Sequence, residues 1–305
     1  MDFNELSYNK QSKSFSEYVK GGKKEDVAKT WFMKDKLVYD TIEKRNKIVD
    51  PLLITYPDSK WFTVGDGRFG TDASYLFQKG FDITATDIDE SLLKEGLERG
   101  LIGKYKVENA EYLSFNDNEF DFALCKEAYH HFPRPMKALY ELLRVARKGV
   151  VLLEPVDQYI YSGFVSMFSR KLIHLLDKLC IFKLLLGKNI KRHTYEEVGN
   201  YVFKLSVREV EKVALGLNYP CYAYKPINVL YIKGIEFQQK DKISFLTIKY
   251  KLFNTLQNFL TKINFIEPSL ISVIIFKENP SAQCIDSLKK DSYKIAYLPE
   301  NPYLK

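Results

Sequence analysis

Cysteine is scarce and scattered in this chain. The four residues, Cys125, Cys180, Cys221 and Cys284, form no CxxC pair. A disulfide framework or a thiolate zinc site needs paired spacing, so buried thiols in a reducing compartment are the expectation. Histidine is equally sparse, with only His130, His131, His174 and His193. None stands in an HExxH arrangement, and no metal is expected. Long apolar runs are also missing. A membrane span needs roughly 20 consecutive apolar residues, and the longest apolar region, 172–186, is broken by His174, Asp177, Lys178 and Lys183. The opening stretch, MDFNELSYNKQSKSFSEYVKGGKK, has no apolar centre of the kind a signal peptide carries. A cytoplasmic protein is expected. There is no internal repeat and no low-complexity segment.

Charge of one sign is only mildly in excess. Lys and Arg number 46 against 39 Asp and Glu, a net +7. Such an excess suits an anionic small molecule or a nearby membrane surface, and equally suits a protein with no charged partner. No nucleic-acid partner is expected, because no basic run interleaved with aromatics stands out beyond one later segment. Hydrophobic residues make up 46% of 305 residues, enough to bury one large core.

The pattern along the chain divides into five stretches. Residues 1–35 are a polar, basic arm or cap with scattered aromatics. Residues 36–157 read as an α/β core. An amphipathic helix over 36–53, closed by Pro51 and Pro57, comes first. Short apolar strands at 61–64, 83–86, 105–107, 120–125 and 150–153 then alternate with helices at 69–79, 90–99 and 136–147. Alternation at this interval implies a parallel sheet with right-handed crossovers and helices on both faces, a three-layer αβα arrangement. Residues 158–240 break the rhythm and read as a mainly helical insertion or lid over the strand ends. Residues 241–278 supply a further helix and closing strands, at 264–268 and 270–276, with an antiparallel edge. Residues 279–305 read as a surface tail.

The first strand runs into Gly65-Asp66-Gly67-Arg68-Phe69-Gly70. Glycines at this spacing let the backbone turn sharply and approach a ligand closely, ahead of a helix N-terminus. About 20 residues on, the second strand ends in Asp87, where a carboxylate can accept hydrogen bonds from both hydroxyls of a ribose. An adenosine-containing ligand follows, with Gly65, Asp66, Gly67, Arg68, Gly70, Asp87 and Ile88 as candidate contacts. This much does not separate a nicotinamide cofactor from other adenosine ligands.

Later segments do separate them. Val107-Glu108-Asn109-Ala110-Glu111, Asn118-Glu119-Phe120-Asp121 and Glu127-Ala128-Tyr129-His130-His131-Phe132 resemble successive segments of the class I S-adenosylmethionine-dependent methyltransferases, over about residues 35–157. The resemblance implies a Rossmann-like fold, S-adenosylmethionine as cofactor and S-adenosylhomocysteine as product. It implies Asn109 and Ala110 at the adenine. Lys126 is a candidate donor contact, though more simply read as a solvated lysine. Thr63 stands where the family often carries a carboxylate near the donor's ammonium, and Asp66 is the candidate substitute. His130 or His131 is a candidate general base, with Glu127 a second candidate or an orienting partner. The alternative is that both imidazoles only fix the loop and transfer needs no base.

In the insertion, aromatic and basic residues mix, and Tyr161, His193 and Tyr195 are candidate substrate contacts. The stretch 164–192 is both apolar and basic, which fits peripheral contact with an anionic membrane surface. This region more loosely resembles methyltransferases of bacterial surface-polysaccharide pathways. That resemblance implies O-methylation of a small-molecule acceptor, a sugar, nucleotide-sugar or lipid-linked glycan hydroxyl. A non-catalytic adenosine-binding protein of the same fold and an NAD(P)-dependent oxidoreductase are the alternatives.

Overall fold

The computed structural model describes residues 3–15, 17–19, 21–157, 168, 172, 194–195 and 199–303. Its centre is a mixed sheet of eight strands: β1 (Lys60–Val64), β2 (Asp82–Asp87), β3 (Tyr105–Val107), β4 (Phe120–Lys126), β5 (Ala146–Pro155), β6 (Cys221–Ile227), β7 (Leu270–Phe276) and β8 (Lys294–Tyr297). The order is β3-β2-β1-β4-β5-β7-β6-β8. The first five strands are parallel. β7 pairs antiparallel to β5 and to β6, and β6 pairs antiparallel to β8. The order reverses at β1, between β2 and β4, and an open α/β sheet binds ligands in the crevice at such a switch point.

The period-two pattern of the strands sorts their side chains between two cores. Phe62, Val64, Ala123, Cys125, Val150 and Leu152 point to one face, where they meet α7 (Pro135–Val145) through Leu139 and Leu142, and α8 (Val207–Gly216) through Val210. Trp61, Phe122, Leu124, Val151 and Leu153 point to the other. There they meet α4 (Asp50–Thr55), α5 (Thr71–Phe77) and α10 (Ala282–Lys290) through Leu52, Leu76 and Leu288. Strands buried on both faces carry no polar alternation, which is why these runs read as continuous apolar stretches.

Several expectations need correcting. The helix expected over 36–53 is three pieces: α3 (Leu37–Asn46), a 3-10 turn (Lys47–Val49) and α4. Pro51 sits in the first turn of α4 and opens it rather than closing the helix, because proline's missing N–H is unneeded there. Residues 264–268 form no strand. The antiparallel partner of β7 is instead β6, which lies inside the stretch assigned to the lid, as does α8. Residues 282–297 are not a loose tail either. α10 packs Cys284 and Leu288 into the core, and β8 closes the sheet edge. Within the stretch 158–240 read as the insertion, residues 158–193 lie outside the described residues apart from 168 and 172. No helix among the described residues is long and apolar enough to cross a membrane. The described cysteines, Cys125, Cys221 and Cys284, are buried free thiols.

Candidate active site

The carboxyl ends of β1, β2 and β4 open into a cavity of about 250 Å³. Its floor is the glycine turn, and the turn's shape follows from its residues. Gly65 has φ +72°, and a Cβ there would lie 2.2 Å from the Ala128 Cβ. The β1 turn and the loop after β4 can therefore touch only if residue 65 has no side chain. Gly70 also has positive φ, +67°, but it caps α5 and packs under Ile102 instead of lining the cavity.

Asp66 faces inward. Its carboxylate accepts from the backbone N–H of Asp72 (3.1 Å) and Ala73 (2.8 Å) and from the Thr63 hydroxyl (3.0 Å). Both oxygens thus cap the first turn of α5. Burial and neighbouring Asp72 push it well above the usual carboxylate range. Asp66 also lines the cavity, as expected of a donor-contact candidate, and holds the turn. Thr63 and Asp66 bond each other, and their polar groups hold the loop.

Asp87 ends β2, on the cavity wall with Ile88. It accepts from the Asp89 backbone N–H at 3.0 Å and is buried. Burial pushes it up to about 7. Gly67, Arg68, Asn109, Ala110 and Lys126 line the same cavity. Lys126 is not a solvated lysine: its ammonium is buried and pairs with Asp72 and Asn46. Arg68 is exposed and lies over the Trp31 ring, 5.3 Å from its centroid.

The loop after β4 carries the sharpest geometry. Glu154, at the end of β5, is wholly buried. One of its oxygens accepts from the backbone N–H of Ala128 and of Tyr129, each at 3.0 Å, and the other lies 2.6 Å from His130 Nδ1. A carboxylate only accepts, so His130 Nδ1 carries the proton in this pair. The His130 and His131 rings lie 3.9 Å apart. Of the two, only His131 lines the cavity. Glu127 lines it as well, with φ +51°, a strained conformation for a non-glycine residue. Burial would raise its carboxyl, but Arg45, Arg68 and Lys126 outweigh burial and hold it below the usual value. Arg45 pairs with it directly. In this structure Glu127 is thus an ion-pair partner of Arg45.

The substrate candidates fare differently. Tyr161 and His193 lie outside the described residues. Tyr195 is 69% exposed, packs edge-on against Tyr201, and does not line the cavity.

Sequence reading missed the cavity's roof. α1 (Phe3–Phe15) places Ser7, Tyr8 and Gln11 over it, and Tyr18, Trp31, Ile42, Arg45 and Asn200 complete the wall. Ser7 bonds Asn200, whose amide donates to the His131 carbonyl at 2.7 Å. Ser12 bonds Asp89 at 2.5 Å. The buried Tyr8 hydroxyl is pushed up to about 12 by burial and by Glu111, which itself is held by Arg134 at 2.6 Å. Helix α1 has almost no amphipathic pattern, so the only sequence signal was its cluster of polar residues among aromatics.

Residues 62–153 match a family of methyltransferase domains. The ubiquinone/menaquinone biosynthesis C-methyltransferase of Zymomonas mobilis is 31% identical over 119 residues, covering 37% of this chain and 49% of that protein. The 2-methyl-6-phytyl-1,4-hydroquinone methyltransferase of Synechocystis is 31% identical over 100 residues, 32% of this chain and 31% of its own. The chain thus spans about half or less of these curated relatives. A SAM-dependent methyltransferase of Thermotoga maritima superposes with a TM-score of 0.48 at 16% identity, over 89% of this chain and 100% of that one. The glycine turn, Asp87, Asn109 and the paired histidines all fall within residues 62–153, the span that matches the methyltransferase-domain family.

Proposed function

We propose that this chain moves a methyl group from S-adenosylmethionine to a hydroxyl of a sugar, nucleotide-sugar or lipid-linked glycan precursor. One observation carries the methyl-transfer reading. A single cavity at the sheet's switch point brings together the glycine turn, the buried Asp87 and a histidine-bearing loop. The residues fit the donor. Gly65 and Gly67 allow close backbone approach, Asp87 suits ribose hydroxyls, and Asn109 and Ala110 suit adenine. Asp72 and Glu127 beside Lys126 and Arg45 suit the zwitterionic methionine end.

When bound, the donor supplies an electrophilic methyl on a sulfonium. The chain's residues orient the acceptor and handle its proton. His131, facing the cavity, accepts the proton of the acceptor hydroxyl. His130 packs against it and is held by Glu154, which also fixes the backbone of residues 128 and 129. Glu154 is a positioning residue, since it reaches the cavity only through the loop it holds. Replacing His131 by Ala should lower kcat by at least about a hundredfold, the usual share of a general base. Binding of S-adenosylhomocysteine should stay unchanged.

A second acceptor is supported by the relatives, whose names place methyl transfer on quinone precursors. Trp31, Tyr18 and Phe132 on the cavity wall suit a flat ring. A hydroquinone also loses a proton on methylation, so the same base serves. Incubation with methyl-labelled donor and two acceptor sets, glycan precursors and demethylated quinols, separates the readings by where label appears. Failure of S-adenosylhomocysteine to bind would refute both.

A further inference from the structure

The helix α9 (Phe245–Lys262) leaves a broad apolar face exposed, unlike an ordinary helix on a water-facing surface. Its inward stripe is mixed: Leu246, Tyr250 and Leu260 lie toward the body with Thr247, Asn254, Gln257 and Thr261, Thr247 being buried and Thr261 bonded to Asn228 at 3.4 Å. Six other large apolar residues point outward: Phe245 is 83% exposed, Leu252 64%, Phe259 58% and Ile248 55%, with Phe253 and Leu256 beside them. At 100° per residue these six fall on one side of the helix, an arc that also carries Lys249 between Leu256 and Phe253. Ile243, just before the helix, extends the arc. Contiguous exposed apolar surface of this kind marks a contact site.

Charge selects the occupant. No Asp or Glu occurs between residues 245 and 262, while Lys249, Lys251 and Lys262 lie there. A second copy of this chain on the same arc would bring like charges together across a two-fold interface. An anionic bilayer has no such conflict. It receives the apolar arc among its acyl chains and its headgroups meet the lysines. We propose that α9 lies in the plane of an anionic lipid surface and docks the protein there.

The position of α9 gives this docking a use. The Ser244 hydroxyl that caps α9 donates to the Gln238 side chain at 2.8 Å, and the Gln238 carbonyl accepts from the Leu37 N–H at 2.9 Å. Leu37 opens α3, which carries Ile42 and Arg45 on the cavity wall. A lipid-docked α9 holds the cavity beside the bilayer, where an acceptor with a lipid tail resides. The inference itself is independent of methyl transfer, and its readout is binding alone.

The test is co-sedimentation of the full chain with vesicles of phosphatidylglycerol and phosphatidylcholine, against phosphatidylcholine alone. The expected result is sedimentation with the anionic vesicles. It should be abolished by the double variant Leu252→Asp/Leu256→Asp. Neutralising the lysines (Lys249→Gln/Lys251→Gln/Lys262→Gln) should weaken it roughly a hundredfold. Both variants alter exposed side chains, and an unchanged melting temperature confirms that they fold. The inference is overturned if the native chain stays in the supernatant, or if the aspartate variant sediments undiminished, which would place binding elsewhere. It is equally overturned if sedimentation velocity shows a dimer that this variant dissociates and no vesicle binding occurs.

Discussion

Asp87 makes the affinity for S-adenosylhomocysteine depend on pH in a defined direction. In the ligand-free protein burial raises its carboxyl to about 7. Ribose hydroxyls donate hydrogen bonds to the ionised form, so a bound ligand draws the group back toward the ordinary carboxylate range. Binding below pH 7 therefore releases a proton. The ionised fraction in the free protein falls from about nine-tenths at pH 8 to about one-tenth at pH 6, so affinity should drop roughly tenfold over that interval. Calorimetry in buffers of different ionisation enthalpy reads both the affinity and the proton count. The Asp87→Asn variant should bind more weakly by about 1–3 kcal/mol at pH 8 and lose the pH dependence. Stability carries the opposite sign. A carboxyl raised from 3.8 to about 7 favours the folded state most below pH 4, and that contribution is lost as pH climbs to 7. The cost at pH 8 is on the order of 4 kcal/mol, so ligand-free Asp87→Asn should melt higher than the native protein at pH 8 and equally at pH 4. Affinity constant within twofold from pH 6 to 8, with no proton released, would refute this account of Asp87.

The other expectations concern the loop and the core. Glu154→Ala strands two backbone N–H groups and the His130 ring, and urea unfolding should show a loss of about 3–5 kcal/mol. Glu154→Gln should fold with a smaller loss while shifting the pH profile of kcat, a change that a purely structural role would not produce. Gly65→Ala places a Cβ 2.2 Å from Ala128 at φ +72°, so it should destabilise by more than about 1 kcal/mol and weaken donor binding, read by thermal shift with and without S-adenosylhomocysteine. Leu139→Ala, in the fully buried face of α7, should cost about 2–5 kcal/mol in urea with little change in KM.

Five parallel strands and their helices were readable because each is a local pattern: a short apolar run, a glycine stop, a carboxylate at a strand end. Gly65 and Asp87 were readable for the same reason, since a turn and a strand terminus need no distant partner to be recognised. β6 escaped because Cys221–Ile227 mixes Tyr222, Tyr224, Lys225 and Pro226 in a run that resembles no buried strand. Its place beside β7, across a sequence gap of more than 40 residues, comes from long-range pairing.

The chemistry of this chain was thus settled in two stages. Short-range sterics and hydrogen bonding alone determined the glycine turn, the acidic strand end and the paired histidines, because each acts within a few residues. Only the packed molecule decided what those groups do. It set His130 against Glu154, 24 residues away, and Glu127 against Arg45, 82 residues away, and it laid α1 over the cavity. Partners so far apart meet only when the sheet assembles, and it is their charges, brought out of water together, that separate a base from a bystander.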